Sequence, residues 1–450
     1  MNLKAIHNVF FIGIGGVGMS ALARYFALDG KEVGGYDKTP TLITQSLIEL
    51  GVHVQFEIDL NQINEQFFNS NDTLIVFTPA ISESNAILQH FRTHNFQVLK
   101  RSEVLGLVTQ YTQCLAVAGT HGKTTTCSIL GHLLFACNEK VTAFIGGISE
   151  NYQSNLIQNG TDISVVEADE FDRSFLTLSP DFACITSMDA DHLDIYSSEA
   201  DLIETFKQFA QKIKPAGKLF VRKGLPIEGI TYGVNEAADY SATNIQILKG
   251  CYQFDLQTPY VLIQNIMFHL PGAHNLSNAI AALAMALEFG CQPESLKSAL
   301  SAYKGVKRRF TYQIKTDDFV FIDDYAHHPA EINAVHQAVR ELYPNHKVAV
   351  VFQPHLFSRT HDFAHDFAAS LSQFDATFLL DIYPARELPI EGVTSSWLLK
   401  KIKSPIKKLI SKSDIVSEIK KLGYPVFITL GAGDIGVEVT DLKEKLSYAY

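Results

Sequence analysis

No apolar run in this chain approaches the ~18 residues that a membrane span requires, so membrane insertion is not expected. The N-terminus, Met1-Asn-Leu-Lys4, passes into a strand-like segment without a cleavable signal pattern, and a cytoplasmic location is expected. Cysteine is sparse. Cys114, Cys127, Cys137, Cys184, Cys251 and Cys291 stand apart, with no C-x-x-C pair and no zinc-like spacing. That scatter argues against a disulfide framework or zinc module, and it suggests buried thiols at Cys114, Cys127 and Cys184. Positive charge is also short: 37 Lys and Arg stand against 48 Asp and Glu, a net charge of −11. A phosphate backbone selects a basic surface, so nucleic acid is not an expected partner. The basic stretch from Lys400 to Lys412 reads as a solvated face.

What is present is a large α/β pattern. The 450 residues, 46% hydrophobic, exceed what one core usually supports and predict two to four domains. Up to residue 108 strands and helices alternate, with strands at Val9–Ile12, Glu32 to Asp37 and Thr73–Phe77 and a helix at Ser20–Leu28. The region 109–309 repeats the rhythm through Leu115–Ala118, Ile163–Val166 and Phe182–Thr186. Past Gly229, alternating stretches such as Tyr252–Leu256 and Val261–Ile263 suggest antiparallel strands, followed by a helix over Leu276–Phe289. A third unit, 310–450, carries strands at Phe319–Ile322, Val348–Phe352, Thr377–Leu380 and Val426–Leu430.

Chemistry-bearing residues collect where these strands end, the edge at which open parallel sheets bind ligands. The run Gly119-Thr-His-Gly-Lys-Thr-Thr-Thr126 places glycines, Lys123 and hydroxyls between a buried strand and a helix. It is a shortened phosphate-binding loop, in which Lys123 would reach the β/γ-phosphates and Thr124 would bind Mg²⁺. Val165-Val-Glu-Ala-Asp-Glu170 supplies carboxylates at a neighbouring strand end. Glu167 is the expected metal ligand there, with Asp169 and Glu170 further out or at the surface. Asp189-Ala-Asp-His-Leu-Asp194 fails the calcium-loop pattern, and His192 is either a ligand at a second metal position or a hydrogen-bonded core histidine. Gly13-Ile-Gly-Gly-Val-Gly18 with Asp37 beyond it fits either a dinucleotide-binding turn or a plain tight turn. Asp323-Asp-Tyr-Ala-His-His-Pro329 and Gln353-Pro-His-Leu-Phe-Ser-Arg359 follow two strands of the third region; Pro329 suits a helix start. Either loop can receive an anionic or amine substrate, or simply be polar.

Taken in order, GIGGVGMSALA (13–23), GTHGKTTT (119–126), EADEFDRSF (167–175), DADHLD (189–194), HNLSNA (274–279), RRF (308–310), DDYAHHP (323–329) and FQPHLFSRT (352–360) resemble the Mur ligases. These are ATP-dependent amide-forming enzymes of bacterial cell-wall precursor synthesis, and the resemblance runs over essentially the whole chain. It implies an α/β fold of three domains: a Rossmann-like UDP-sugar domain (1–108), a central P-loop ATPase-type domain with additional antiparallel strands (109–309), and a Rossmann-like C-terminal domain (310–450). It implies ATP and two Mg²⁺ ions as cofactors, and a cytoplasmic monomer or weak dimer. Gly13, Gly15, Gly16, Gly18, Asp37 and Thr78 would hold the diphosphate of the UDP-sugar rather than NAD. Gly119, Thr120, His121, Gly122, Lys123, Thr124 and Thr125 would hold ATP, with Thr124, Glu167 and His192 on the metals. Asn275 and Asn278 would face adenine, Asp324 the ribose and Arg309 the γ-phosphate, while Tyr325, His327 and Arg359 would receive the amino acid. Two departures stand out. Leu356 occupies a position where the family often has arginine, and Lys207, near the place of a modified lysine in sister enzymes, is not expected to be modified.

The activity so implied joins L-alanine to the lactyl carboxylate of UDP-N-acetylmuramate through an acyl phosphate. A tripeptide-recycling ligase of the same family shares the chemistry with a different amine donor. Two readings of other classes remain open at this level. An NAD-dependent dehydrogenase would rest on residues 13–37 alone, and a non-enzymatic nucleotide switch would leave the third region's polar loops unexplained.

Overall fold

The computed structural model describes residues 3–189, 196, 198–248, 250–385 and 387–447. Three sheets carry the architecture, and the chain divides into two compact units. One holds the first sheet and most of the second; the other holds residues 305–450 with the segments 247–252 and 269–276.

The first sheet has five parallel strands in the order His53–Gln55, Glu32–Tyr36, Asn8–Ile12, Thr73–Phe77, Gln97–Lys100. Asn8–Ile12 is buried throughout because helices cover both faces, which is why it reads as an unbroken apolar run. Strand order reverses at this strand, so the Gly13–Gly18 loop that follows it opens at a topological switch point.

In the second sheet Gln113–Ala118 is flanked by Ile163–Ala168 and Phe182–Ile185, all parallel. The lysine loop leaves its C-terminal end and enters the helix Lys123–Ala136. That helix lies close on the sheet because Gly131 has no side chain: a methyl there would meet Ala143 Cβ at 2.5 Å. Beyond Ile163–Ala168 comes an antiparallel hairpin, Val141–Ser149 with Ser154–Gln158, which the strand pattern above does not anticipate. On the other side Ile230–Val234 pairs parallel with Lys218–Arg222 and with Tyr240–Leu248. The alternating stretches expected past Gly229 lie on Cys251–Gln257 and Leu262–Phe268, neighbouring strands joined by a connection too short for a parallel crossover, so the antiparallel expectation holds there. Cys251–Gln257 and Leu262–Phe268 complete that edge.

The third sheet runs Thr311–Lys315, Val320–Asp324, Val426–Leu430, Val348–Phe352, Ala376–Leu379, Ile406–Leu409. Only the first pair is antiparallel. Strands Thr73–Phe77, Val348–Phe352 and Val426–Leu430 match their sequence-derived bounds, and Cys114, Cys127 and Cys184 are buried thiols as expected. No helix among the described residues is long and apolar enough to cross a membrane.

The close approach at Gly131 has a measurable consequence. Gly131→Val forces the helix off the sheet and should cost about 1–3 kcal/mol, the usual range for overpacking. Urea unfolding should show a lower midpoint, and an unchanged midpoint would mean that the helix is free to shift.

Candidate active site

The lysine loop is built around a buried charge. Lys123 Nζ donates to Gly119 O at 2.7 Å and to both oxygens of Glu170, at 2.7 and 2.9 Å. The Glu170 side chain is fully buried and that of Lys123 is only 15% exposed. Burial alone would favour a neutral amine, but Glu170, Asp169 and Glu167 together raise the Lys123 pKa, so the ammonium keeps its proton. Placing Glu170 at the surface is therefore wrong: an enclosed ammonium needs a counter-ion, and Glu170 is the one in reach.

Two glycines shape the loop. Gly119 has φ +131° and a methyl there would lie 2.2 Å from Thr186 Oγ1. Gly122, the residue before the helix, has φ +89°, and its missing methyl would lie 2.5 Å from Asn278 Oδ1, so Asn278 abuts the loop. Ser187 pins the crest, its hydroxyl 2.9 Å from Thr120 Oγ1 and accepting from the His121 N–H at 2.8 Å. The Asp189 N–H donates to Thr120 Oγ1 at 3.1 Å, and Thr125 is buried on the first turn of the helix.

Thr124 Oγ1 donates to Glu167 Oε2 at 3.0 Å, and the Gly146 N–H donates to Oε1 at 2.5 Å. Burial raises the Glu167 pKa, and the Gly146 bond and Lys123 hold it back. A hydroxyl and a carboxylate meeting beside a phosphate-type loop form a hard oxygen donor set. That set suits Mg²⁺, which takes one or two protein oxygens and completes its shell with phosphate and water. His192 lies outside the described residues. Lys207 is half-exposed, 3.8 Å from Glu204 Oε2.

In the same unit, the Gly15 N–H donates to Asp37 Oδ2 at 2.7 Å, and a methyl on Gly13 would meet Thr78 Cγ2 at 2.7 Å. Asp37 and Thr78 thus flank the first glycine loop. The helix Val17–Leu28 follows Gly16, which offers no side-chain cap. That leaves its first N–H groups available to an anion. Next to Gly18 a cavity of about 220 Å³ is lined by Ala21, Arg101, Phe144, Gly146, Glu167 and Asp169, among others. Arg101 is a residue the motifs missed. It opens the helix Arg101–Thr109 directly after the strand Gln97–Lys100, and that position at the sheet's ligand edge is the signal that could have found it.

In the second unit Arg308 and Arg309 part ways. Arg308 Nε pairs with Asp323 Oδ2 at 3.0 Å and its Nη2 donates to Gly431 O at 2.7 Å. Arg309 lies 5.2 Å over the Tyr325 ring and 3.8 Å from Glu331 Oε1. His327 Nδ1 is 3.3 Å from Glu331 Oε2, so Arg309 and His327 share one carboxylate, with the Tyr325 ring packed against both. Pro329 opens the helix Pro329–Leu342 with His328 as its cap. Both Asp324 oxygens accept backbone N–H groups, from Phe310 at 2.6 Å and Ala326 at 2.7 Å, so in this arrangement Asp324 braces the turn. Asn275 belongs to this unit and donates to Pro271 O at 2.7 Å. Arg359 is buried on the short helix Phe357–Asp362, and Leu356 before it has φ +70°.

Comparison with known proteins adds three family models: "Mur ligase family, catalytic domain" over 8–112, "Mur ligase middle domain" over 117–286, and "Mur ligase, glutamate ligase domain" over 308–432. The UDP-N-acetylmuramate–L-alanine ligase of Flavobacterium psychrophilum is 59% identical over 446 residues, 99% of each chain. The enzyme of the same name from Parabacteroides distasonis is 47% identical over 455 residues, 99% of this chain and 98% of its own. Among solved structures, the UDP-N-acetylmuramate–alanine ligase of Thermotoga maritima aligns with TM-score 0.81 at 25% identity, covering 98% of this chain and all of that one. A murein peptide ligase from Psychrobacter arcticus aligns at TM-score 0.69 and 20% identity over 98% of both chains, a likeness of fold.

Asp324 makes a pH prediction. Burial raises its pKa to about 6, with Arg309 and the two backbone bonds opposing. The folded protein therefore holds a proton there that the unfolded chain has released, and the contribution to stability is lost as pH rises through about 6. Compared with Asp324→Asn, the wild type should lose relative stability between about pH 4 and 6 and run parallel above pH 7. A difference that is flat across the whole range would mean that Asp324 is already ionised in the fold.

Proposed function

The chain belongs to the Mur ligase family, and we propose on that basis that it condenses L-alanine with UDP-N-acetylmuramate at the cost of ATP, giving UDP-N-acetylmuramoyl-L-alanine, ADP and phosphate. Full-length identity of 59% to a ligase of that name supports this substrate pair over the tripeptide-recycling alternative. Membership sets aside the dehydrogenase and switch readings, since the Gly13–Gly18 loop then serves a UDP-sugar and the third region an amino acid. A cytoplasmic enzyme, monomeric or weakly dimeric, with boundaries near residues 108 and 309, completes the reading.

The observation that carries it is the meeting of Lys123, Thr124 and Glu167 at one loop, beside the cavity that also touches Gly18. A carboxylate is a poor electrophile. Its oxygen attacks the γ-phosphorus of ATP, the bond to the ADP oxygen breaks, and an acyl phosphate forms. The amine of L-alanine then attacks the carbonyl carbon, phosphate leaves with the former carboxylate oxygen, and the amine gives up a proton. The chain's part is positioning and charge neutralisation. Lys123 steadies the β/γ-phosphates, and Gly119 to Thr125 cradle them with backbone N–H groups. Thr124 and Glu167, with His192 at a second position, would hold Mg²⁺, which neutralises phosphate charge when bound. Asp37 and Thr78 frame the UDP-sugar diphosphate. Asn275 and Asn278 take the adenine, Asp324 the ribose, and Arg309 the γ-phosphate. Tyr325, His327 and Arg359 receive alanine, Arg359 through its carboxylate.

Two measurements test this. Lys123→Ala should lower turnover on the order of 10²–10³-fold, the scale of removing one preorganised charge, while UDP-N-acetylmuramate binding stays near normal. Near-normal turnover would remove Lys123 from the chemistry. In a phosphate-release assay at fixed ATP and UDP-N-acetylmuramate, L-alanine should support turnover and the tripeptide should not; the reverse result would identify the recycling activity.

A further inference from the structure

The cavity beside Gly18 is lined by charges of both signs. Arg101, half-buried at the start of its helix, lines it together with Glu167 and Asp169. A second, smaller hollow is lined again by Arg101, Glu167 and Asp169, with Ser174 added, so the three groups border both openings. The Arg101 guanidinium makes no hydrogen bond or ion pair with any described residue. Its side chain passes close over Gly18, where a methyl would come within 3.0 Å of its Cδ and 3.1 Å of its Nη1. An arginine steered into a polar cavity and left without an acceptor is suited to an anion that arrives from outside. Its planar fork matches a carboxylate through two parallel bonds.

We propose that Arg101 binds the carboxylate that the enzyme activates, holding the lactyl group of UDP-N-acetylmuramate between itself and the Thr124–Glu167 pair. The proposal rests on the activity argued above and adds a residue to it. Its physical necessity is electrostatic. A substrate carboxylate entering this cavity meets Asp169 beside the Glu167 that would hold Mg²⁺, and repulsion from that acid disfavours its ionised form. Arg101, lining the same cavity, offsets that repulsion and leaves the acid ionised, as a nucleophile must be.

The discriminating probe is UDP-N-acetylglucosamine, which shares the diphosphate and sugar but lacks the lactyl acid. Arg101→Met should weaken UDP-N-acetylmuramate binding on the order of 10–100-fold, the cost of losing hydrogen bonds to a charged group, and leave UDP-N-acetylglucosamine binding unchanged. Arg101→Lys, which keeps the charge without the fork, should fall between. Equal losses for both nucleotide sugars would assign Arg101 to the diphosphate and overturn the proposal, as would no loss for either. Binding of a non-hydrolysable ATP mimic to each variant reports that the fold survives. Should Arg101→Met fail that control, the same affinity ratio is read from Arg101→Lys. A wild-type protein that binds the two sugars alike refutes the activity itself, whereas wild-type preference retained in both variants refutes Arg101 alone.

Discussion

A protonated lysine placed out of water at the mouth of a strand-to-helix turn is the constraint around which the rest is arranged. Enclosing an ammonium costs several kcal/mol unless its hydrogens and charge are met. Here all three donors are met, two by Glu170 and one by Gly119 O. Gly119 can turn its carbonyl toward Nζ because it has no side chain to collide with Thr186. Glu170 can stay fully buried because Lys123 sits on it, and its own carbonyl accepts from Tyr196 Oη at 2.5 Å. Each partner makes the other's burial possible. The lysine is therefore held at the loop before a nucleotide arrives, and a phosphate oxygen that takes one of its hydrogens has to displace one of these three acceptors.

The antiparallel hairpin Val141–Ser149 and Ser154–Gln158 links this charge to the first sheet. At one end the Gly146 N–H fixes Glu167. At the other Asn155, wholly buried, donates to Val17 O at 2.7 Å and Ser20 Oγ at 2.8 Å and accepts from Arg24 Nε at 3.1 Å. An amide buried with its hydrogen bonds satisfied in this way fixes register more than it adds stability. The helix beginning at the first glycine loop is thereby held at a set distance from Glu167, and that distance is the width of the cavity between them.

Legibility in the sequence followed the kind of physics involved. Strands buried on both faces, such as Thr73–Phe77 and Val426–Leu430, declare themselves as apolar runs, and the glycine loops after them as turns only glycine can make. Thr124 and Glu167 were readable because a hydroxyl after a loop lysine and an acid at a strand end have chemical meaning locally. Glu170 and Arg101 were not. Glu170 in EADE looks like any acid until the burial of Lys123 is known, and Arg101 in Lys-Arg-Ser-Glu looks like a surface residue until Gly18 is found against it. The hairpin escaped for a related reason, since Thr142, Ser149 and Asn155 are buried polar residues and break the apolar signature of strands. Partner-dependent residues are invisible to spacing.

The same charges also explain why the reaction needs no covalent intermediate on the protein. Cys127, on the helix that begins at Lys123, is the thiol placed nearest the loop in sequence, and burial raises its pKa well above the usual value. A thiol kept protonated is neither nucleophile nor metal ligand. What the site offers instead is fixed charge of both signs, the Lys123–Glu170 pair at the loop and Glu167 and Asp169 beside it. An acid activated in such a setting can attack phosphorus directly, because the enclosing groups supply the neutralisation that water would otherwise provide. The net negative chain is no obstacle. Local pairing, and not overall charge, decides whether two anions can meet.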